Sequence, residues 1–237
     1  MPFHIKAEEK DISSHVILVG DPGRAQKIGE KFLRESKLVN TYRALYVYSG
    51  YYKDKKITVA TTGMGAPSTA IVLEEIIKLG GRIFIRVGSA GGMSPEIEVG
   101  DIVIATGSIR EDGTTLHYLP KEFPAVPDFD VLKTLVEVAK EKTERVFYGI
   151  TLSTDVFYIP KTEEEKILLS KVGVKAVEME SGCVFIVSQR RGVKAGALFS
   201  IDGNVLKGII KPPSQEELFR KGEELSIEIA LESLYRL

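Results

Sequence analysis

A buried-type strand of this sequence ends in an arginine. Arg86 follows the run Ile83-Phe84-Ile85 and leads into Val87-Gly88-Ser89-Ala90-Gly91-Gly92. A guanidinium, a hydroxyl and the N–H groups of glycine-rich backbone form a donor set that can hold an oxyanion. The alternative is a strand-to-helix turn in which the glycines serve only tight geometry and the arginine is a surface charge. The first interpretation predicts an anion site where this strand ends.

A second predicted strand ends in two carboxylates, Glu178 and Glu180. Side chains two residues apart share a face of an extended strand, and the residues around this pair are apolar. At least one carboxylate is therefore expected to point inward, where it needs hydrogen-bond donors. A pair of sugar hydroxyls would supply them. The alternative is that both are surface charges at the end of the strand.

Asp202 and the pair Phe157-Tyr158 also follow predicted strands. Asp202 stands between Ile201 and Gly203, so it either forms a turn or acts as a general acid. The two aromatic side chains either fill the core or form a stacking wall for a planar base. The residue types alone leave both choices open.

Glycine, cysteine and histidine patterns argue against several other chemistries. Gly63-Met64-Gly65 lacks the third glycine of a dinucleotide fingerprint, and no glycine loop carries a Walker lysine, so neither NAD nor a nucleoside triphosphate is expected. Cys183 lies on an apolar helix face, which predicts packing rather than nucleophilic chemistry. The three histidines show no metal-ligand spacing, and no metal is expected.

Alternating strand and helix patterns must position these residues. Strands are predicted over 17–20, 44–52, 57–60, 83–85, 101–105, 145–152, 174–180 and 195–200, and helices over 22–33, 68–79, 129–140, 163–171, 181–191 and 215–235. This alternation predicts a single α/β domain over residues 1–237, a three-layer αβα fold with a central mixed, mostly parallel sheet. Ligands of such sheets lie at the carboxyl ends of the strands. We therefore expect one edge of the sheet to carry the polar residues that follow predicted strands, namely Arg24, Arg86, Ser89, Glu180 and Asp202.

The charge balance argues against partners that need a global electrostatic field. Among 237 residues, 32 basic side chains nearly cancel 33 acidic ones, which predicts no recruitment of nucleic acid or of an anionic membrane. The N-terminus carries charges and no apolar signal region, and no apolar run is long enough to span a membrane. The single cysteine suits a reducing compartment. We therefore expect a cytoplasmic protein.

Three linked motifs resemble one enzyme family along essentially the whole chain. Gly20-Asp21-Pro22-Gly23-Arg24, Arg86-Val87-Gly88-Ser89-Ala90-Gly91 and Val177-Glu178-Met179-Glu180 are similar to motifs of the hexameric nucleoside phosphorylases, the family of purine nucleoside and uridine phosphorylases. Arg110-Glu111-Asp112, Phe123-Pro124-Ala125-Val126 and Ile201-Asp202-Gly203 look like a purine-cleaving branch. The resemblance implies a pentosyltransferase that cleaves inosine, guanosine or adenosine to free base and ribose 1-phosphate. Inorganic phosphate would be a co-substrate, and no cofactor is implied.

The resemblance also implies a role for each matching residue. The phosphate site would comprise Gly20, Arg24, Arg86 and Ser89, with Arg43 lent by a neighbouring subunit. The nucleoside site would comprise Phe157, Tyr158, Glu178, Met179, Glu180 and Asp202, with His4 lent by the neighbour to the 5′-hydroxyl. Glu180 would bind the 2′- and 3′-hydroxyls and Asp202 would protonate the purine at N7, so Asp202, Arg86 and Glu180 would carry the catalysis. The implied assembly is a homo-hexamer, a trimer of dimers.

Two departures from the family pattern bear on whether the cleaved base is a purine or uracil. Purine enzymes of the family often carry a serine directly before the acid, whereas Ile201 stands here, and an alignment shifted by one residue would place Gly203 at the acid position and favour uridine. Against this, residues 159–163 offer neither the glutamine nor the arginine with which bacterial uridine phosphorylases read uracil. Purine cleavage is the main prediction and uridine phosphorylase the alternative. Methylthioadenosine phosphorylase, a nucleosidase and a non-catalytic nucleoside-binding relative are further alternatives.

Overall fold

The computed structural model describes residues 2–158 and 161–237. In these ranges the strands are β1 (His15–Val19), β2 (Arg34–Asn40), β3 (Val47–Tyr52), β4 (Lys55–Thr61), β5 (Ile83–Gly92), β6 (Ile102–Glu111), β7 (Val146–Thr154), β8 (Val174–Glu178), β9 (Lys194–Asn204) and β10 (Ile209–Ile210). The helices are α1 (Pro22–Lys31), α2 (Ala66–Lys78), α3 (Phe129–Lys142), α4 (Glu163–Lys171), α5 (Ser181–Arg191) and α6 (Glu216–Arg236). Short 3-10 helices lie at Glu9–Asp11, Tyr42–Ala44, Thr115–His117 and Pro213–Gln215.

Local capping residues fix where several helices begin. The carboxylate of Asp21 accepts hydrogen bonds from the N–H groups of Gly23 at 3.0 Å and Arg24 at 3.1 Å. Pro22 occupies the first position of α1, where its missing N–H costs nothing. Thr162 and Glu165 form a capping box at the start of α4. These signals place each helix directly after the strand or loop that precedes it.

The strands form one mixed sheet in the order β10-β9-β6-β7-β8-β5-β1-β4-β3-β2. β5 pairs with β9 as well as with β1 and β8, so β5, β8, β7, β6 and β9 close into a ring from which β1, β4, β3 and β2 extend. β1 is parallel to β4 and β5, whereas the β3–β4 hairpin and the pairs β5–β8 and β6–β9 are antiparallel. The predicted mixed α/β sheet is confirmed, and its closure is a feature that the local patterns did not indicate.

Helices cover both faces of this sheet. Leu73 of α2 and Phe185 of α5 belong to the buried cluster on one face. Leu135 of α3 and Leu231 of α6 belong to the cluster on the other face, together with residues of α1. Successive residues of β1 alternate between the two clusters, as expected of a strand buried on both sides. The three-layer arrangement follows from this double burial.

The glycine segment after Arg86 is strand rather than turn. β5 continues through Gly92 and pairs with β9 along its length and with β8 at its end. A Cβ atom on Gly88 would lie only 2.8 Å from the ring of Phe199 on β9. The prediction that the strand ends at Arg86 and opens into a glycine loop is therefore wrong. These glycines permit close packing between neighbouring strands instead.

Two further differences concern strand bounds. β9 runs through Asn204, so Asp202 lies within a strand rather than beyond its end. β2 was not predicted, because it is an edge strand whose mostly exposed residues show no apolar alternation. Ile159 and Pro160, which belong to the stretch compared above with uridine phosphorylases, lie outside the described residues. None of the described helices combines the length and the apolar character needed to cross a membrane.

Candidate active site

Arg86 and Glu180 form a buried ion pair beside the carboxyl ends of β1 and β4. Nη2 of Arg86 lies 2.5 Å from Oε2 of Glu180, and the two side chains are 4% and 7% exposed. Nη1 of Arg86 donates to the hydroxyl of Thr62, which directly follows β4, at 3.1 Å. The backbone N–H of Gly65 donates to Oε1 of Glu180 at 2.7 Å. The pair thus joins β5 to the start of α5 and to the segment after β4.

Gly20 lies against the guanidinium of Arg86, and Ser89 lies three residues further along the same strand. A Cβ atom on Gly20 would lie 3.3 Å from Nη2 of Arg86 and 3.4 Å from the carbonyl oxygen of Gly63, so a side chain here would crowd the arginine. Ser89 is half-buried on the same strand, opposite Ser200 of β9. Nε of Arg86 is buried and has no hydrogen-bond partner among the described residues. Arg86 therefore keeps a donor that a ligand oxygen can satisfy.

Arg24 reaches the same part of β5 from the first turn of α1. Its Nη1 donates to the carbonyl oxygen of Val87, the residue after Arg86, at 3.2 Å. Its Nε donates to Oε1 of Glu223 on α6 at 2.7 Å, and its side chain is 7% exposed. One buried arginine thus belongs to β5, and a second is bound to the carbonyl group of the residue that follows it. Such an arrangement suits an anion with several oxygens.

Glu178 holds the start of α5. Its Oε2 accepts hydrogen bonds from the N–H groups of Glu180 and Ser181, each at 2.8 Å, and its Oε1 accepts one from the Ser181 hydroxyl at 2.5 Å. Burial, and then the charge of Glu180, raise the pKa of Glu178 to about 7. Both carboxylates point inward, as the sequence predicts for at least one of them. Of the two, Glu180 is the one that contacts Arg86.

Asp202 lies on β9 beside cationic side chains. Its Oδ2 is 3.3 Å from Nζ of Lys211, and its side chain is 13% exposed. Burial raises the pKa of Asp202, and the charges of Lys211 and Arg24 oppose this effect without cancelling it. A Cβ atom on Gly203 would lie 2.4 Å from the carbonyl oxygen of Ile209, so Gly203 faces β10. Of these two neighbours only Asp202 carries an ionisable group, and its raised pKa suits proton donation.

The aromatic pair after β7 lies at the surface. Phe157 is 59% exposed and Tyr158 is 90% exposed. Their ring centroids are 5.1 Å apart, with an interplanar angle of 72°. The alternative that these side chains fill the core is therefore wrong. An exposed edge-to-face pair is suited to contact a planar base, and Met179, between the two glutamates, is half-buried.

His4 and Arg43 have other partners than the Arg86–Glu180 pair. Nδ1 of His4 is 2.9 Å from Oε1 of Glu75 on α2, and the N–H of Ile5 also donates to this carboxylate at 2.7 Å. Arg43 is exposed in the 3-10 turn after β2, with a φ of 57° and its guanidinium 5.9 Å from the Tyr42 ring. Within the described residues, neither side chain forms a hydrogen bond or an ion pair with another residue of the predicted site.

Four further groups, which the sequence patterns do not predict, contact the predicted site residues: Thr62, Gly65, Lys211 and Glu223. Thr62 and Gly65 flank the Gly63-Met64 pair, whose pattern indicates only an incomplete nucleotide motif. The segment directly follows an apolar strand, and this position is the signal that could have predicted a place in the site. Lys211 and Glu223 gave no local signal, since they meet Asp202 and Arg24 only through the tertiary fold.

Together these residues can perform three separate tasks. Arg24 and Arg86 can bind an anion, and Glu180 has acceptor sites beyond those used by Arg86 and Gly65. A carboxyl of raised pKa, Asp202, can donate a proton. The arrangement can therefore assist the attack of an anion on a hydrogen-bonded substrate whose leaving group takes up a proton.

Comparison with known proteins gives a consistent result. The family model described as Phosphorylase superfamily matches residues 14–234. A guanosine phosphorylase of Halorubrum lacusprofundi is 36% identical, over 99% of this chain and 98% of that protein. A uridine phosphorylase of Treponema pallidum is 37% identical over 98% of this chain and 92% of its own length. A DeoD-type purine nucleoside phosphorylase of Clostridium novyi is 35% identical over 97% of this chain and all (100%) of its own length.

The fold comparison agrees with the sequence comparison. The crystal structure of a uridine phosphorylase from Vibrio fischeri superposes with a TM-score of 0.92 at 29% identity, covering 99% of this chain and 97% of that one. The resemblance indicated by the three sequence motifs is thereby confirmed. The chain belongs to the phosphorylase superfamily.

Proposed function

We propose that this protein is a nucleoside phosphorylase that cleaves a purine ribonucleoside with inorganic phosphate, giving the free base and ribose 1-phosphate. The observation that carries the proposal is the contact between Arg86 and Glu180, because it places a cation for phosphate next to an acceptor for sugar hydroxyls. Asp202, with its raised pKa, supplies the acid that a purine leaving group needs. The relatives named guanosine phosphorylase and purine nucleoside phosphorylase support the same activity.

In the proposed reaction a phosphate oxygen forms a bond to C1′ while the bond from C1′ to N9 of the purine breaks. The electron pair of the broken bond goes to the base, and the proton of Asp202 goes to N7. Positive charge develops on the ribosyl ring and is stabilised by the phosphate, which Arg24, Arg86, Gly20 and Ser89 hold. Phosphate is the second substrate, so no cofactor takes part in these steps.

Glu180 positions the ribose in this proposal. Each carboxylate oxygen has more than one lone pair, so the 2′- and 3′-hydroxyls can donate to Glu180 while Arg86 and the N–H of Gly65 remain bound. Met179 lies beside the sugar, and Phe157 and Tyr158 contact the base. Glu178 acts on the site through α5, since both of its oxygens bind the start of that helix.

A substrate panel tests the proposal. Inosine, guanosine, adenosine, methylthioadenosine and uridine are incubated with the enzyme, with and without phosphate, and base release is measured by chromatography. We expect phosphate-dependent release from a purine nucleoside. Release that does not need phosphate would identify a nucleosidase. No release from any substrate would refute catalysis and leave a nucleoside-binding protein.

Uridine phosphorylase is the second candidate function, because the Treponema pallidum relative and the Vibrio fischeri structure carry that name. Asp202→Asn distinguishes the two. Only a purine leaving group takes a proton at N7, so this substitution should lower kcat on inosine by roughly a hundredfold or more while uridine cleavage falls far less. Equal losses on both substrates would show that Asp202 is not the purine acid.

We further propose that the active sites are shared between subunits of a homo-hexamer, with Arg43 and His4 serving the neighbouring site. Neither side chain forms a hydrogen bond with its own Arg86–Glu180 pair among the described residues, and Glu75 anchors the segment that carries His4. Co-expression of Arg43→Ala with Asp202→Asn tests this. Each variant alone should be nearly inactive on inosine, whereas mixed assemblies should contain restored sites. An active monomer in light scattering, or no recovery in the mixture, would refute shared sites.

A further inference from the structure

Arg24 receives its orientation from the helix at the other end of the chain. Its Nε donates to Oε1 of Glu223 at 2.7 Å, and its Nη1 donates to the carbonyl oxygen of Val87 at 3.2 Å. These contacts use two of the five N–H donors of a guanidinium. The unused donors all lie on the two Nη atoms.

Glu223 is itself held in place. Its side chain is 14% exposed, and its second oxygen, Oε2, lies 3.1 Å from Nζ of Lys27 on α1. Burial alone would raise the pKa of Glu223, but the charge of Arg24 and the hydrogen bonds from Arg24 and Lys27 lower it below its usual value. The carboxylate is therefore ionised at neutral pH, and each of its oxygens has a separate cationic partner.

We propose that Glu223 is a positioning residue for phosphate, which fixes the Nε side of Arg24 so that the Nη edge meets the phosphate oxygens. The inference rests on the proposed function, because it takes Arg24 as a phosphate ligand. Contact between a guanidinium and an oxyanion depends on the orientation of a rigid plane. A buried arginine that lost its carboxylate would turn toward other acceptors and would no longer present that edge.

The rival explanation is that Glu223 only neutralises charge. A second anion on the same guanidinium would then compete with phosphate, and its removal would strengthen phosphate binding. Two mild substitutions separate these explanations. Glu223→Gln keeps an oxygen at the same reach but removes the charge, whereas Glu223→Asp keeps the charge but is one methylene shorter and cannot reach Nε at the same geometry.

The matched control is Glu224→Asp. Glu224 is the next residue of α6 and lies 2.9 Å from Nζ of Lys27. Its contact with Lys27 resembles that of Glu223, but among the described residues it forms no ion pair with Arg24. Shortening Glu224 therefore disturbs the same helix and the same lysine without disturbing the phosphate arginine.

The experiment measures KM for phosphate and KM for the nucleoside that the wild type cleaves, in all four proteins. We expect Glu223→Asp to raise KM for phosphate roughly tenfold, as expected for one misplaced charge-assisted hydrogen bond, with KM for the nucleoside within about twofold of wild type. Glu223→Gln and Glu224→Asp should stay within about threefold of wild type for both substrates.

The outcomes are separable. An unchanged KM for phosphate in Glu223→Asp, or a KM for phosphate more than about threefold below wild type in Glu223→Gln, would overturn the positioning role. If Glu223→Asp does not fold, the Glu223→Gln result decides, because a near-wild-type value supports positioning and a lowered value supports charge neutralisation. A wild type that cleaves no nucleoside in a phosphate-dependent manner would instead refute the proposed function.

Discussion

Nη2 of Arg86 and Oε2 of Glu180 are 2.5 Å apart, and both side chains are almost completely buried. Two charges in such surroundings tolerate the loss of solvent only while they remain paired. In the proposed function Arg86 binds phosphate and Glu180 binds ribose, so one contact links the two halves of the site. The pair is therefore expected to matter for stability as well as for activity.

Substitution of one partner or of both tests the structural part of this role. Arg86→Met leaves the Glu180 carboxylate buried beside an apolar side chain, which should destabilise the protein by about 3 kcal/mol or more. The double substitution Arg86→Met with Glu180→Gln removes both charges and should be more stable than Arg86→Met alone. Thermal unfolding of the single and double variants measures the difference. A double variant as unstable as the sum of the two single ones would show that the charges are not coupled.

The Asp202–Lys211 contact predicts a shift in the pH profile. Burial raises the pKa of Asp202, and the charge of Lys211 is the strongest influence that lowers it. Lys211→Met removes that opposition, so the pKa of Asp202 should rise further and its acid form should persist to higher pH. The alkaline limb of kcat/KM for inosine should then move to higher pH. Lys207→Met is the control, since Lys207 pairs with Glu98. An alkaline limb that stays in place in Lys211→Met would contradict the acid role.

Glu178 predicts how stability depends on pH. Its folded-state pKa of about 7 lies above its usual value of 4.5, so the folded protein binds this proton more tightly than the unfolded chain. The resulting stabilisation is fully present below the usual pKa and is lost as the pH rises through about 7. Glu178→Gln cannot titrate. The melting temperature of wild type relative to Glu178→Gln should therefore fall as the pH increases from about 4 to 8. A relative melting temperature that rises over this interval would show that Glu178 is ionised in the folded state at low pH.

Helix bounds were the part of the fold that could be predicted best. α4 and α5 begin and end at the residues predicted from the sequence, Glu163–Lys171 and Ser181–Arg191. Their limits depend on local features, such as the Thr162 cap of α4 and the left-handed Gly192 after α5. Residues within a few positions of one another carry such information, so it survives in a single sequence.

The convergence of the site could also be predicted in part. Arg86 and Glu180 each follow or end an apolar run, and the rule for strand ends predicts that they lie at one edge of the sheet. The two side chains do pair, although Arg86 lies within β5 rather than at its end. The rule could not give their mutual pairing, nor the contacts of Arg24 with Glu223 and of Asp202 with Lys211. Those contacts depend on where α6 and the segment after β9 return to the sheet. The residues next to Arg24 and Asp202 in the sequence contain no pattern that predicts these tertiary contacts.

The glycines after Arg86 show why the strand bound was missed. A glycine can be required by a tight turn, by a bound anion or by a neighbouring side chain that leaves no room for a Cβ atom. The sequence alone does not distinguish these three reasons. In this fold the neighbouring strand explains the glycine at position 88. β9 lies parallel to β5, and Phe199 of β9 stands opposite Gly88. The ring of Phe199 is completely buried, so it cannot move away from an added methyl group.

Gly88→Ala tests this explanation directly. The new Cβ atom would lie 2.8 Å from Cδ1 and 2.9 Å from Cε1 of Phe199, which should cost about 1–3 kcal/mol and lower the melting temperature by several degrees. Gly113→Ala is the control, because the nearest atom to its Cβ is the Asp155 carboxylate at 3.9 Å. Combining Gly88→Ala with Phe199→Leu should recover part of the loss by making room for the methyl group. If Gly88→Ala instead melts like wild type and raises KM for phosphate, the glycine serves the anion rather than the packing of β5 against β9.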